Sequence, residues 1–465
     1  MEQKTTSKQP VVSPVGEAGE GTQKVHLVSL GCSKNRVDSE VMVGLLQEGD
    51  YVFVDSPDEA DTIIVNTCSF IQPATEESVD TVLDLSRYKE EGSCKKLVVT
   101  GCMVQRYGTA LEAELPEVDH FLGTGEYHRI RTVLEARRGS AERSYVDTPL
   151  YVHDEFSPRI NSWSQASAYL KISEGCNHKC TFCIIPTLRG KLRSRTIPSL
   201  IEEARHLAGQ GVRELNLISQ DSTAYGRDLR DGTGLGNLMQ GLSEIDGIEW
   251  IRLHYAYPHG LPEGLLDQFA NNPKVCSYLD IPLQHASGSV LKAMKRGVTR
   301  AGQERILDRI RAHVPNITLR STFIVGFPGE TDEDFETLCS FVRDQRFDHL
   351  GVFTYFAEDG TPAATLPDQV PDEVKEDRMK HLLDIQREIS RTKLQKWVGR
   401  KVDVLVEGVS SESDTLLRGR TAHQAPDVDG MVYITSAPTD AKVGQIRKML
   451  VTQAGDYDLV ALWGS

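Results

Sequence analysis

Apolar positions between residues 24 and 135 follow two periods. Residues 24–30 (KVHLVSL) alternate apolar and polar as a strand does, then break at Gly31-Cys32. Asp38 is suited to cap a helix running to about residue 48, with Val41, Met42, Leu45 and Leu46 on one face. A second strand is expected at 62–66, ahead of Thr67-Cys68, and a helix at 74–90. A third strand, 96–100 (KLVVT), ends at Gly101-Cys102. Strands alternating with helices argue for an α/β domain on an open parallel sheet. Residues 136–165 read as a linker, because RRGSAER, Pro149 and Pro158 interrupt both periods.

The alternation resumes at 166 and runs to about 390. Strands are expected at 168–172, 214–219, 249–255, 277–282, 318–325 and 349–356. Helices are expected between them, at 198–210, 235–245, 262–271, 287–294, 300–313 and 332–345. Six such units make a partial (β/α) barrel or an open sheet. A charged helix over 378–395 leads out of this region. From Trp397 the runs become short, alternating and split by Gly, Pro, Asp and Ser, as in a small all-β barrel. The layout is thus an α/β chain in parts: a polar tail over 1–23 read as disordered, a domain at 24–135, a linker, a core at 166–395 and a barrel at 396–464.

Composition narrows the class. Over 465 residues the hydrophobic fraction is 39% and the charged fraction 26%, ordinary for a globular protein. No apolar run approaches the roughly 20 residues that span a bilayer, and the first 23 residues lack the apolar stretch of a signal peptide. A cytoplasmic protein with no membrane partner is expected. The formal net charge of -15 does not favour broad nucleic-acid binding and suits a basic partner.

The nine cysteines change the picture most. An odd number without a secretion signal argues against a disulfide framework and for metal or redox chemistry. Cys32, Cys68 and Cys102 each follow the expected C-terminal end of a strand, the edge where parallel sheets form ligand sites. Three buried core thiols is the plainer reading of any one of them, but the repeated placement argues for a joint role. Cys176, Cys180 and Cys183 form a CxxxCxxC run after the first strand of the core, at the mouth of the expected barrel. Three thiolates leave a tetrahedral zinc one ligand short unless His178 or a distant residue completes it. A 4Fe-4S cube held by three cysteines keeps one iron open for chemistry. Ile184-Ile185-Pro186 then supplies a dry wall beside it. Cys94, Cys276 and Cys339 fall outside both sets and read as structural.

At CNHKCTFC the sequence resembles the radical S-adenosylmethionine superfamily. LVSLGCSKNRVDSE, VNTCSF, VTGCMVQR, ISEGCNHKCTFCIIP and FIVGFPGET, in that order over 24–464, resemble the methylthiotransferases. The resemblance implies an N-terminal methylthiotransferase domain, a radical core and a C-terminal TRAM barrel. It implies two 4Fe-4S clusters, one on Cys176, Cys180 and Cys183 that binds S-adenosylmethionine, the other on Cys32, Cys68 and Cys102 that carries the sulfur. One S-adenosylmethionine would methylate that sulfur and a second would yield a 5′-deoxyadenosyl radical to abstract hydrogen from an unactivated carbon. Acid–base residues would then not be the centre of the site.

Cofactor contacts are expected at Gln220 and Asp221 after the second core strand, at Gln284 after the fourth, and at Gly326 and Glu330 after the fifth. GFPGET is read equally well as a turn with Thr331 capping a helix. Arg189, Arg193 and Arg195 suit a carboxylate of substrate or cofactor, or form a solvated basic strip. GCSKNRVDSE resembles the branch that modifies an aspartate β-carbon of small-subunit ribosomal protein S-twelve, free or in the ribosome, whereas tRNA-modifying branches show a GCQMN-type run. The barrel's nine acidic against seven basic residues from Trp397 on suit a basic protein partner. A flavodoxin or ferredoxin as electron donor and a separate sulfur donor complete the expected partners. Methylthiolation of a tRNA adenosine is the near alternative, and a non-catalytic iron–sulfur carrier or ribosome-binding factor the alternative from another class.

Overall fold

A computed structural model describes residues 21–136, 142–410 and 412–464. The expected tail lies outside the described residues as far as residue 20. The chain forms two compact units. The first takes the described residues up to Trp163 together with two short returns, Ser173–His178 and Ile184–Arg195. The second takes Ser164–Ile172, Lys179–Cys183 and the chain from Thr196 on.

The first unit is built on a six-stranded parallel sheet: β1 (Gln23–Ser29), β2 (Tyr51–Phe53), β3 (Thr62–Thr67), β4 (Lys96–Gly101), β5 (His120–Leu122) and β6 (Ser144–Tyr145). The spatial order is β2-β1-β3-β4-β5-β6, so the direction of winding reverses beside β1. Successive residues serve opposite faces, as a period of two demands. Ile64 and Val98 pack with Val41, Met42 and Leu46 of the helix Ser33–Gln47. Ile63, Val65, Leu97 and Val99 pack on the other face with Val82 and Leu85 of the helix Gln72–Ser86. Burial on both faces is why these strands read as near-continuous apolar runs.

Two expectations change here. The first helix begins at Ser33, directly after Cys32, and Asp38 lies inside it. The stretch read as a linker contributes more than a connection: β6 extends the sheet, and Arg159 is buried against Glu40 at 2.7 Å. Tyr151 and Ile160 pack on the core. Residues 137–141 lie outside the described residues.

The second unit holds six parallel strands in sequential order: Ser167–Lys171, Glu214–Ile218, Trp250–Leu253, Val275–Asp280, Thr318–Val325 and His349–Thr354. The sheet does not close, as a partial barrel or an open sheet requires. A closed five-stranded barrel follows, comprising Lys401–Ser410, Ser413–Thr421, Val432–Thr435, Ile446–Ala454 and Leu459–Leu462. The charged helix before it runs Asp372–Leu394, starting six residues earlier than expected.

The closed barrel is fastened to the starting ends of the parallel strands. Arg420 and Arg252 reach Glu214, the first residue of its strand, with Arg252 at 2.9 Å. Burial would raise the Glu214 carboxyl, but the two guanidinium groups outweigh it and hold it well below the usual carboxylate range. Tyr278 donates to Asp429 at 2.7 Å and Tyr169 to Asp427 at 2.9 Å. Thr318 and His423 bond at 2.7 Å. The finishing ends of the strands are thereby left for the loops that follow them.

Candidate functional site

β1, β3 and β4 are neighbours in the sheet, with Ser29 paired to Asn66 and Thr67 to Gly101. Cys32, Cys68 and Cys102 follow their finishing ends, so the fold brings the three together on strands about 4.8 Å apart. Gly31 has φ 84°, and a β-carbon there would stand 2.8 Å from the Cys68 sulfur. Gly101 has φ 100°, and its β-carbon would meet the Thr67 carbonyl at 2.5 Å. Glycine before cysteine is therefore a packing requirement at both places.

Polar side chains lace this edge. Asn35 Nδ2 donates to the carbonyls of Leu30 at 3.0 Å and Thr67 at 2.8 Å. Asn66 Nδ2 donates to the Asn35 carbonyl and to Ser39 Oγ, both at 2.9 Å. Ser78 Oγ donates to the Cys68 carbonyl at 2.7 Å. Cys32 is exposed, while Cys68 and Cys102 are buried. Burial pushes the Cys68 thiol well up, and its neighbours Cys102 and Cys32 add to the shift. Burial pushes Cys102 up to about 11 against the pull of Arg189. Ile184 and Leu188 pack on Cys102 at this site, whereas the wall expected beside the CxxxCxxC run is not made by all three residues: Ile185 is half-buried and Pro186 exposed.

Arg189 is not part of a solvated strip. It is 2% exposed and meets Asp38 at 2.6 Å, Glu174 at 3.3 Å, the Asn35 Oδ1 and the Cys102 sulfur at 3.6 Å. Arg195 is also buried and bonds to His153 at 3.0 Å. Arg193 donates to the carbonyls of Lys191 and Arg189.

Of the second cysteine set, Cys176 lies in the first unit, beside the strand pair Ser173–Glu174 and Arg193–Ser194, and its N–H donates to the Gly190 carbonyl at 3.0 Å. Cys180 and Cys183 lie in the second unit, where the Cys183 N–H donates to the Cys180 carbonyl at 3.2 Å. Arg296 donates to the Cys180 sulfur at 3.6 Å and stacks 4.2 Å from the centre of the Tyr257 ring. Burial raises the Tyr257 phenol to about 12. Among the described residues no three His, Cys, Asp or Glu side chains are grouped to hold one metal ion. A cubane takes each thiolate on a separate iron. Three thiols at neighbouring strand ends, two of them dry and one against a guanidinium, fit the cubane.

In the second unit the expected cofactor contacts all follow strand ends. Gln284 has φ 74° and a buried Oε1 without a hydrogen-bond partner. Gln220 follows the strand that ends at Ile218 and is half-buried. Asp221 caps the short turn Ser222–Ala224 and accepts from the N–H and hydroxyl of Thr223 at 3.0 and 2.6 Å. Glu330 is turned to its own loop: Oε2 accepts from the N–H of Gly326 at 2.9 Å and of Phe327 at 3.3 Å, and Oε1 meets Arg378 at 2.8 Å. Gly326, at φ 72°, packs against Lys375. Thr331 and Asp334 form a capping box, which is the cap reading of GFPGET. Asn35, Asn66 and Arg296 escaped the sequence reading, and Asp38 was read there only as a helix cap, since a buried polar residue leaves no periodic signal. Cys94, Cys276 and Cys339 are buried, as their structural reading requires.

Part of the barrel's acidic charge is engaged with neighbouring side chains. Glu407, Asp427, Asp429 and Asp456 are engaged with Arg420, Tyr169, Tyr278 and Arg391.

Residues 24–123 match the uncharacterized protein family UPF0004, 170–342 the radical SAM superfamily and 398–463 the TRAM domain. Among solved structures, the radical S-adenosylmethionine methyltransferase TsrM from Kitasatospora setae, with cobalamin and a [4Fe-4S] cluster bound, aligns with TM-score 0.54 at 15% identity. That alignment covers 74% of this chain and 77% of TsrM, and it speaks for the fold. Fold, site and domain order define the chain as a radical S-adenosylmethionine enzyme of the methylthiotransferase class. Proteins named ribosomal protein uS12 methylthiotransferase RimO are 51% identical in Pelobacter propionicus, 49% in Geobacter sulfurreducens and 50% in Myxococcus xanthus. Each alignment covers 94% of this chain and at least 91% of the relative. The chain belongs to this RimO family.

Proposed function

We propose that the chain replaces a C–H bond by a C–SCH3 bond at the β-carbon of an aspartate of ribosomal protein uS12. The observation that carries the chemistry is the placement of Cys32, Cys68 and Cys102 on three neighbouring strand ends, a thiol set additional to the CxxxCxxC run of the sequence. The substrate follows from the RimO relatives and from the GCSKNRVDSE run. Two 4Fe-4S clusters and two molecules of S-adenosylmethionine, when bound, supply the sulfur, its methyl group and the hydrogen-abstracting radical.

The chain's own part is to hold and to exclude. Cys32, Cys68 and Cys102 would hold one cluster, with Asn35, Asn66 and Ser78 fixing the strand ends that carry them. Cys176, Cys180 and Cys183 would hold the other, with Arg296 against Cys180. Gln220 and Gln284 are offered to the S-adenosylmethionine, while Asp221, Gly326 and Glu330 shape the loops around it. Ile184 and Leu188 keep water from Cys102. Electrons would come from a flavodoxin or ferredoxin, sulfur from a separate donor, and the reaction would run in the cytoplasm.

Mass spectrometry of uS12 and of tRNA from a strain lacking the gene tests this. The uS12 aspartate is expected to lose its methylthio mass while tRNA keeps its own. Loss from tRNA alone sinks the substrate reading.

A further inference from the structure

Arg189 stands six residues after Cys183 in the sequence, yet its guanidinium ends in the first unit against Cys102. Only 2% of it is exposed. One guanidinium nitrogen, Nη1, bridges Asp38 at 2.6 Å and Glu174 at 3.3 Å. The other, Nη2, faces the Asn35 Oδ1 and the Cys102 sulfur at 3.6 Å. Glu174 is paired to Arg193 in the short strand ladder, and two residues on, the Cys176 N–H bonds to the Gly190 carbonyl, next to Arg189 itself. One side chain thus joins the strand-end thiol of Cys102 to the segment that begins the CxxxCxxC run.

A buried cation this deep is retained only with matched anions, and leaving any of them unpaired is destabilising. Asp38 and Glu174 are two carboxylates for one guanidinium, and both stand in the dry surroundings of a thiol site. Hydrogen bonds to cluster sulfurs and the net charge around them set the potential of an iron–sulfur centre, and outer partners orient the ligands themselves. The fork of Arg189 does both. Its charge favours the more anionic, reduced state, and Asp38 opposes it.

We infer that Arg189 is a positioning residue of the N-terminal cluster, raising that cluster's potential through Cys102 and setting Cys102 in register with the Cys176 segment. This rests on the reading that Cys32, Cys68 and Cys102 hold a 4Fe-4S cluster.

The test uses the full chain with Cys176→Ala, Cys180→Ala and Cys183→Ala, so that the N-terminal set alone takes up iron and sulfide anaerobically. Iron content and a redox titration followed by electron paramagnetic resonance are the readouts. Arg189→Met is expected to lower the potential, raising the oxidised-to-reduced ratio at fixed ambient potential roughly tenfold, or ~59 mV for one electron. Asp38→Asn is expected to shift it the opposite way. Arg189→Lys keeps the charge but loses the fork, so its potential is expected to stay near that of the parent while its cluster is lost faster to a chelator. Opposite signs are what a scaffold role alone does not produce. Unchanged potentials, or shifts of one sign in both variants, refute the inference while leaving the cluster reading intact. A parent chain that binds no cluster refutes the cluster reading and the inference with it. Where Arg189→Met holds no cluster, the sign of Asp38→Asn and the rescue by Arg189→Lys decide.

Discussion

The Gln284 backbone sits at φ 74°, and its Oε1 is buried without a partner at the end of the strand Val275–Asp280. A left-handed non-glycine residue and an unpaired buried acceptor each cost on the order of 1–3 kcal/mol. Tyr255, after the preceding strand, is left-handed too, at φ 60°. Strain gathered at the finishing ends of parallel strands is where a ligand contact is expected. Gln284→Leu removes the orphaned acceptor without changing the backbone demand. The variant is therefore expected to melt no lower than the parent, while its dissociation constant for S-adenosylmethionine rises about tenfold, the ~1.4 kcal/mol of one good hydrogen bond. Equilibrium dialysis against labelled S-adenosylmethionine and a thermal melt give the two readings. Unaltered affinity would remove Gln284 from the cofactor site.

Elements with a strong local signal were legible from the chain. The helices Arg300–His313 and Asp332–Gln345 and the strand Thr318–Val325 begin and end where the periods place them. Each helix has a threonine cap: Thr299 accepts from the Gly302 N–H, and Thr331 with Asp334 makes a capping box. Thr331→Ala is expected to lower stability by ~1 kcal/mol, read as a shift in the urea midpoint, with S-adenosylmethionine affinity retained. A loss of affinity instead would return Thr331 to the ligand reading. The helix Ser33–Gln47 was legible only from its apolar second half. Its first turns carry Lys34, Asn35, Asp38, Ser39 and Glu40, all buried. Their packing depends on partners as distant in sequence as Asn66, Arg159 and Arg189, and no period announces it. The run that points to the substrate is thus, residue by residue, the scaffold of a thiol site. The placing of Cys32, Cys68 and Cys102 was legible because it depends only on strand ends, and strand ends are marked by glycine and by loss of alternation.

At the scale of the whole molecule, the closed barrel is joined to the parallel strands through buried polar and charged contacts. His423 belongs to the junction between this barrel and the parallel strands. Its Nδ1 bonds to Thr318 at 2.7 Å, its carbonyl accepts from His349 at 2.8 Å, and Trp397 stands edge-on 4.9 Å from its ring. Burial, with Arg252 next, lowers its pKa from 6.5 to about 4, while Asp348 pulls the other way. The unfolded chain therefore takes up this proton at a higher pH than the folded one. Stability from the neutral ring is complete above pH 6.5 and is lost as pH falls towards 4, at up to ~1.4 kcal/mol per pH unit. His349, Asp348 and Arg252 face the same junction, so the total is expected below the ideal sum. Urea midpoints between pH 7 and pH 4 are expected to fall more steeply for the parent than for His423→Asn, which keeps a polar partner for Thr318 but does not titrate. Parallel curves would show that the His423 proton does not govern the junction. A steeper parent curve would show that acid loosens the barrel through a neutral imidazole rather than through the Glu214 ion pairs, which stay charged far below this range.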